Sequence, residues 1–124
     1  MNNYFIILAS GQSKRFNSSK PKQFIKYKNK ALFEHSLDKA LKSKLFKKII
    51  IVTNDKKQIK KKYSKDVLII KGGLERSDSS LIALKFIKKY KPNNVLIHDA
   101  ARPNFTIKLL RNLINSLKKN KASI

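Results

Sequence analysis

No cysteine occurs in the 124 residues, so neither a disulfide framework nor a thiolate metal site is available, and the chain suits a reducing compartment. Glycine is almost as scarce. Gly11, Gly72 and Gly73 are the only three. That excludes a Walker A loop, which needs G-x-x-x-x-G-K-[ST], and a dinucleotide fingerprint, which needs G-x-G-x-x-G. No apolar run approaches the ~20 residues of a membrane-spanning helix. The first apolar segment has no basic stretch ahead of it, so Met1–Leu8 reads as a strand and not as a signal peptide.

Acidic residues are few, 7 against 30 basic ones, which gives a formal net charge of +23 and a pI near 10.4. Such charge suggests a polyanion partner, either nucleic acid or a membrane surface. Its distribution argues for compositional bias instead, because 26 of the basic residues are lysines scattered from Lys14 to Lys121. A nucleic-acid module would interleave basic residues with exposed aromatics. Here most of the seven Phe and four Tyr fall on apolar faces or inside strands. Arginine is the rarer base, and Arg15, Arg76 and Arg102 sit inside motifs of small or acidic residues, leaving Arg111 outside them. The planar guanidinium holds phosphate or carboxylate at two points, which lysine does not.

What is present is an alternation of apolar segments. At 124 residues and 41% hydrophobic content the chain supports about one domain with a single core. Tyr4–Leu8 reads as a strand covered on both faces, Lys48–Thr53 as a second central strand, and Val67–Ile70 and Asn94–His98 as a third and a fourth. Phe24–Lys30 alternates weakly and predicts a short extended piece. Ala31–Ser43 has helical spacing, with Leu32, Phe33, Ser36, Leu37, Ala40 and Leu41 on one side. Asn54 or Asp55 is expected to cap a charged helix reaching Tyr63, and Ser77 or Asp78 to start a helix that Pro92 and Asn93 end. That helix carries Leu81, Ile82, Leu84, Phe86 and Ile87. Thr106–Lys119 presents Ile107, Leu110, Leu113, Ile114 and Leu117 on one face, and Ala122–Ile124 opens a further strand. The order predicts an α/β sandwich around a mostly parallel sheet.

Ligands of such sheets bind beyond the carboxyl ends of the strands. Three stretches there stand out: Ser10–Gln23, Gly72–Ser80 and Asp99–Pro103. In Leu8–Gln23, small residues around Gly11 let the backbone form a concavity for anions, and Lys14, Arg15, Lys20 and Lys22 supply the opposite charge. A nucleoside triphosphate fits that chemistry, as does a plain solvated loop. Gly72-Gly73 permits close approach, with Gly73 and Ser79 as candidate hydrogen-bonding partners of a base or sugar. A turn followed by helix capping, with Glu75 and Arg76 as a local ion pair, explains the same residues. Asp99 suits Mg²⁺ or a sugar hydroxyl, because magnesium favours a carboxylate beside substrate phosphates. Arg102 suits a phosphate or a brace for Asp99. His98 reads as a packed strand-end histidine, and no Ser-His-Asp arrangement is visible.

Taken together, Leu8-Ala9-Ser10-Gly11 with Arg15, Pro21-Lys22-Gln23, Gly72-Gly73 with Glu75-Arg76 and Asp78-Ser79, and His98-Asp99-Ala100-Ala101-Arg102-Pro103 resemble the 2-C-methyl-D-erythritol 4-phosphate cytidylyltransferase family. The resemblance covers essentially the whole chain but only the N-terminal half or so of the family's domain. Residues 1–124 are therefore expected to be the N-terminal, nucleotide-binding part of a single cytidylyltransferase domain, a Rossmann-like three-layer sandwich truncated before its C-terminal half.

The resemblance implies transfer of CMP from CTP to a sugar-alcohol phosphate, 2-C-methyl-D-erythritol 4-phosphate, with release of pyrophosphate in non-mevalonate isoprenoid precursor synthesis, and Mg²⁺ or another divalent cation as cofactor. It implies Arg15 and Lys22 as catalytic residues and Ala9, Ser10, Gly11, Gly73 and Ser79 along the nucleotide. Asp99 and Arg102 fall beside the ribose, metal and acceptor, with Asp99 as the metal ligand. It further implies a cytoplasmic enzyme, homodimeric at full length, with no membrane and no specific nucleic-acid partner. Leu74 departs from the pattern, standing where the family commonly has aspartate. A pentitol-phosphate cytidylyltransferase is the nearest rival; a basic nucleic-acid-binding module and an inactive fragment are the others.

Overall fold

A computed structural model of the chain describes residues 2–10, 26–27, 30–54, 67–100, 102 and 104–118. Its centre is β1 (Asn3–Ala9), buried at all seven positions. Two two-residue strands follow, β2 (Lys26–Tyr27) and β3 (Lys30–Ala31), paired antiparallel where a short extended piece is expected. Then come α1 (Leu32–Ser43), β4 (Lys48–Thr53), β5 (Val67–Ile70), α2 (Arg76–Ile87), a 3-10 turn over Lys88–Tyr90, β6 (Asn94–Asp99) and α3 (Ile107–Leu117). Four strands form one sheet in the order β5-β4-β1-β6, every pair parallel.

The even burial of β1 follows from its apolar run. Alternate side chains point to opposite faces, so one run supplies two cores. Phe5, Ile7 and Ala9 meet Phe33, Leu37 and Ala40 of α1 and Leu110 of α3 on one face. Tyr4, Ile6 and Leu8 meet Ala83 and Ile87 of α2 on the other. Helices on both faces of a parallel sheet make the expected three layers, and each fully buried Ile or Phe contributes ~1.5–3 kcal/mol. At the opposite end from the strand-end loops, buried Asn3 is held on two sides. Its Nδ2 donates to the Leu45 carbonyl at 3.2 Å, and its Oδ1 accepts from Asn94 Nδ2 at 2.9 Å.

Several boundaries differ from expectation for local reasons. Asp99 is the last residue of β6, in register with Leu8, and not a residue beyond the strand. α2 starts earlier, at Arg76, with Glu75 as N-cap and Asp78 inside the first turn, where its Oδ2 accepts from the Glu75 N–H at 3.3 Å. It also ends before Pro92. The 3-10 turn tightens its last turn, and Lys91 then takes the left-handed conformation, with φ 51°.

The apolar residues of α2 do not share one face. Ser79, Ala83 and Ile87 are buried, while Leu81, Ile82 and Leu84 are exposed. Small residues at positions 79 and 83 let the helix lie close on the sheet, while Leu81, Ile82 and Leu84 point away. Past its cap at Asn54 the charged helix expected to reach Tyr63 lies outside the described residues, as do the strand opening at Ala122–Ile124 and Gly11, Arg15 and Lys22. Among the described residues no helix is long and apolar enough to cross a membrane.

Candidate nucleotide site

The sheet order places the candidate residues. β1 has β4 on one side and β6 on the other, so chain order reverses there, and a doubly wound sheet opens its ligand crevice at such a switch point. Ala9 ends β1, is buried and pairs with Thr53 of β4. Ser10 follows it directly, half-buried.

Ser10 is held by the loop after β5. Its Oγ lies 2.6 Å from Ser79 Oγ, one of the two hydroxyls donating to the other. Ser79 sits in the first turns of α2 with no exposed surface, and its Oγ also accepts from the Gly73 N–H at 3.1 Å. The glycine at position 72 is required by space. A Cβ there would lie 2.5 Å from Ser10 Cβ, 2.6 Å from Ser10 Oγ and 2.7 Å from Ser79 Oγ. Glycine at 73 likewise leaves room for Asp78, whose Cβ would be 2.5 Å away from an added methyl. Leu74, next along, is 97% exposed.

Asn54, the residue after β4, completes this cluster. Its Nδ2 donates to the Ser10 carbonyl at 3.3 Å and to the Gly73 carbonyl at 3.4 Å. Sequence reasoning treated Asn54 only as a helix cap. The rule that singled out the loops after the other strands, applied to β4 as well, would have found it.

Asp99 and Arg102 stand on the other flank of β1. The Ala100 N–H donates to the Leu8 carbonyl at 3.0 Å, and the Arg102 N–H to the Asp99 carbonyl at 3.1 Å, closing a turn off the strand end. Arg102 Nε lies 3.9 Å from Asp99 Oδ2, with the guanidinium side chain 82% exposed and the carboxylate 42% exposed. An open pair this long contributes little to stability and leaves both groups within reach of a ligand. Glu75 and Arg76, the alternative local pair, instead occupy the N-cap and first position of α2.

His98 packs as expected of a strand-end histidine. Its ring is 4.6 Å from the Phe105 ring, edge to face, and 5.9 Å from that of Phe5. Nε2 lies 2.6 Å from the Arg102 carbonyl oxygen; a carbonyl only accepts, so Nε2 carries the hydrogen. Burial pushes the imidazole below its ordinary range, against the opposing influence of that bond and of Asp99, with Lys39 and Arg102 adding to the depression. Among the described residues no three His, Cys, Asp or Glu side chains gather as a metal centre. A single carboxylate such as Asp99 is the donor type that would suit a Mg²⁺ keeping most of its oxygen ligands from water and substrate phosphates.

With this geometry in view, the profile of the 2-C-methyl-D-erythritol 4-phosphate cytidylyltransferase family, IspD, matches residues 4–124. The chain belongs to that family. The bifunctional IspD/IspF enzyme of Pelagibacter ubique is 53% identical over 122 residues, covering 97% of this chain and 33% of that protein. The 2-C-methyl-D-erythritol 4-phosphate cytidylyltransferase of Thermotoga neapolitana is 40% identical over 105 residues, 82% of this chain and 47% of that protein. The crystal structure of the Francisella tularensis IspD superposes with a TM-score of 0.79 at 28% identity, over 97% of this chain and 54% of that one. The chain thus spans between a third and about half of the length of these IspD relatives.

Proposed function

We propose that this chain is the nucleotide-binding part of an enzyme that moves CMP from CTP to 2-C-methyl-D-erythritol 4-phosphate. In that reaction a phosphate oxygen of the acceptor attacks the α-phosphorus of CTP. The bond from that phosphorus to the bridging oxygen of the β-phosphate breaks, and pyrophosphate leaves. The observation that carries the reading is the hydrogen-bonded junction of Ser10, Gly73 and Ser79 at a switch point of a sheet belonging to this family.

In this reading Ala9, Ser10 and Gly11 lie along the nucleotide. Gly73 and Ser79 form the wall against the cytosine, and Asp99 and Arg102 face ribose, metal and acceptor. Arg15 and Lys22 stabilise the charge that grows on the α-phosphate as the new bond forms, since fixed cations aimed at developing charge lower a phosphoryl-transfer barrier. Asp99 would hold a divalent cation, Mg²⁺, which neutralises phosphate charge when bound. The reading carries with it a cytoplasmic enzyme working as a homodimer.

Calorimetry with the four nucleoside triphosphates and Mg²⁺ tests the base preference, and pyrophosphate release on adding the acceptor tests the transfer. CTP is expected to bind in preference to ATP, and methylerythritol phosphate to release pyrophosphate where pentitol phosphates do not. Equal affinity for ATP and CTP would remove the base-reading wall.

A further inference from the structure

Asn54 bonds the backbone of the loops after both β1 and β5 with its side chain. β4 lies between those strands in the sheet, so the first residue beyond its end sits between the two loops. An asparagine in a turn ordinarily uses its side-chain oxygen on its own backbone two residues on. The amide nitrogen of this one reaches carbonyls 44 and 19 positions away. A side-chain amide carries two N–H donors, and here there are two acceptors.

We propose that Asn54 is a positioning residue for the nucleotide, a role that rests on the reading of this site as a CTP site. A carbonyl is part of a rigid planar unit, so anchoring it fixes the orientation of its whole peptide group. Asn54 anchors the peptide leaving Ser10 and the peptide joining Gly73 to Leu74, which border the nucleotide on two sides. The side chains close the same junction from within, Ser10 Oγ to Ser79 Oγ to the Gly73 N–H. Asn54, Ser10, Ser79 and Gly73 thereby form a closed ring of hydrogen bonds, in which Asn54 is the only member contributed by β4's end. Its two bonds are long and solvent-exposed, so their loss bears on the alignment of the loops far more than on the stability of the sheet.

Three variants separate the donors from the bulk of the side chain. Asn54→Ala removes both, Asn54→Leu keeps the shape without the donors, and Asn54→Gln keeps the donors on a longer stem. Calorimetry with CTP and Mg²⁺ is expected to show affinity about tenfold weaker for Ala and Leu, with Gln recovering most of it; tenfold corresponds to ~1.4 kcal/mol. Thermal midpoints of all three should stay within ~4 °C of the unmodified chain. Unchanged CTP affinity in Asn54→Ala and Asn54→Leu would overturn the proposal. Hydrogen exchange at the Gly73 amide, measured without nucleotide, keeps the clasp apart from the identity of the ligand. Faster exchange in Ala and Leu but not in Gln supports Asn54 as the group that holds the loops, and unchanged exchange overturns it. If the unmodified chain binds no CTP, the nucleotide reading fails and that exchange measurement alone decides the clasp.

Discussion

The side-chain oxygens of Ser10 and Ser79 lie 2.6 Å apart although 69 positions separate the two residues in the chain. Ser79 is the more constrained of the pair, because it has no exposed surface and its oxygen also holds the half-buried Gly73 N–H. Ser79→Ala removes both bonds, and at ~0.5–1.5 kcal/mol for each the loss should be ~1–3 kcal/mol. Ser10→Ala leaves the Gly73 bond in place and should cost about half as much. Urea unfolding of both variants checks the order, and a larger loss for Ser10→Ala would mean that Ser79 is not the hub.

Gly72 has no room for a side chain. Gly72→Ala places a methyl against Ser10 and Ser79, and overpacking of this kind costs ~1–3 kcal/mol. Two of the three closest atoms belong to the Ser10 side chain, so Ser10→Gly in the same chain should recover part of the loss. A double variant no more stable than Gly72→Ala alone would place the strain elsewhere.

His98 makes stability depend on pH. Its folded pKa is depressed, so protonation favours the unfolded chain. The contribution is fully present above the ordinary histidine value, near ~6.5, and is lost as pH falls from there through the folded value. Asp99 opposes the depression, while Lys39 and Arg102 deepen it. Unfolding free energy measured from pH 8 to 5 should be flat at first and then decline, with a slope of at most ~1.4 kcal/mol per pH unit from this one group. His98→Phe should remove that part of the slope, which is read as the difference between the two curves.

Arg15 and Lys22 are expected to act on the transition state more than on CTP binding. A contact that strengthens as charge develops lowers the barrier, whereas one of constant strength only tightens binding. Where turnover is measured, Arg15→Ala and Lys22→Ala should each lower kcat by ~10²–10³ while KM for CTP moves much less. Lys22→Arg should not rescue fully, because a flat fork does not replace a point charge. A raised KM with kcat intact would make that residue a ground-state clamp.

The strands were legible because their apolar runs are continuous and bounded by polar breaks. Lys48–Thr53 and Val67–Ile70 match their expected bounds. α1 was legible from its spacing, and α3 shows the expected buried Leu110 and Ile114. α2 was read as starting late, because Ser77 and Asp78 resemble caps, whereas Glu75 takes that place and Asp78 bonds back to it. Its apolar residues gave no warning that Leu81, Ile82 and Leu84 face outward, since what selects the inward side is the smallness of Ser79 and Ala83. In the candidate site, motif residues point to three loops after strand ends. The bonds from Ser10 to Ser79 and from Asn54 to both loops depend on strand order, which no local pattern encodes.

Strand order also has a consequence for synthesis. β1 is made before the other three strands of its sheet, yet its partners begin at Lys48 and, 91 positions after Asn3, at Asn94. At ~5–20 residues per second the wait for β6 is roughly 5–20 s. During that interval the strand that ends up buried at all seven positions has one edge with no partner yet made. A nascent chain stalled before Asn94 should therefore be prone to aggregation or to capture by a chaperone, and one stalled after β6 has emerged much less so.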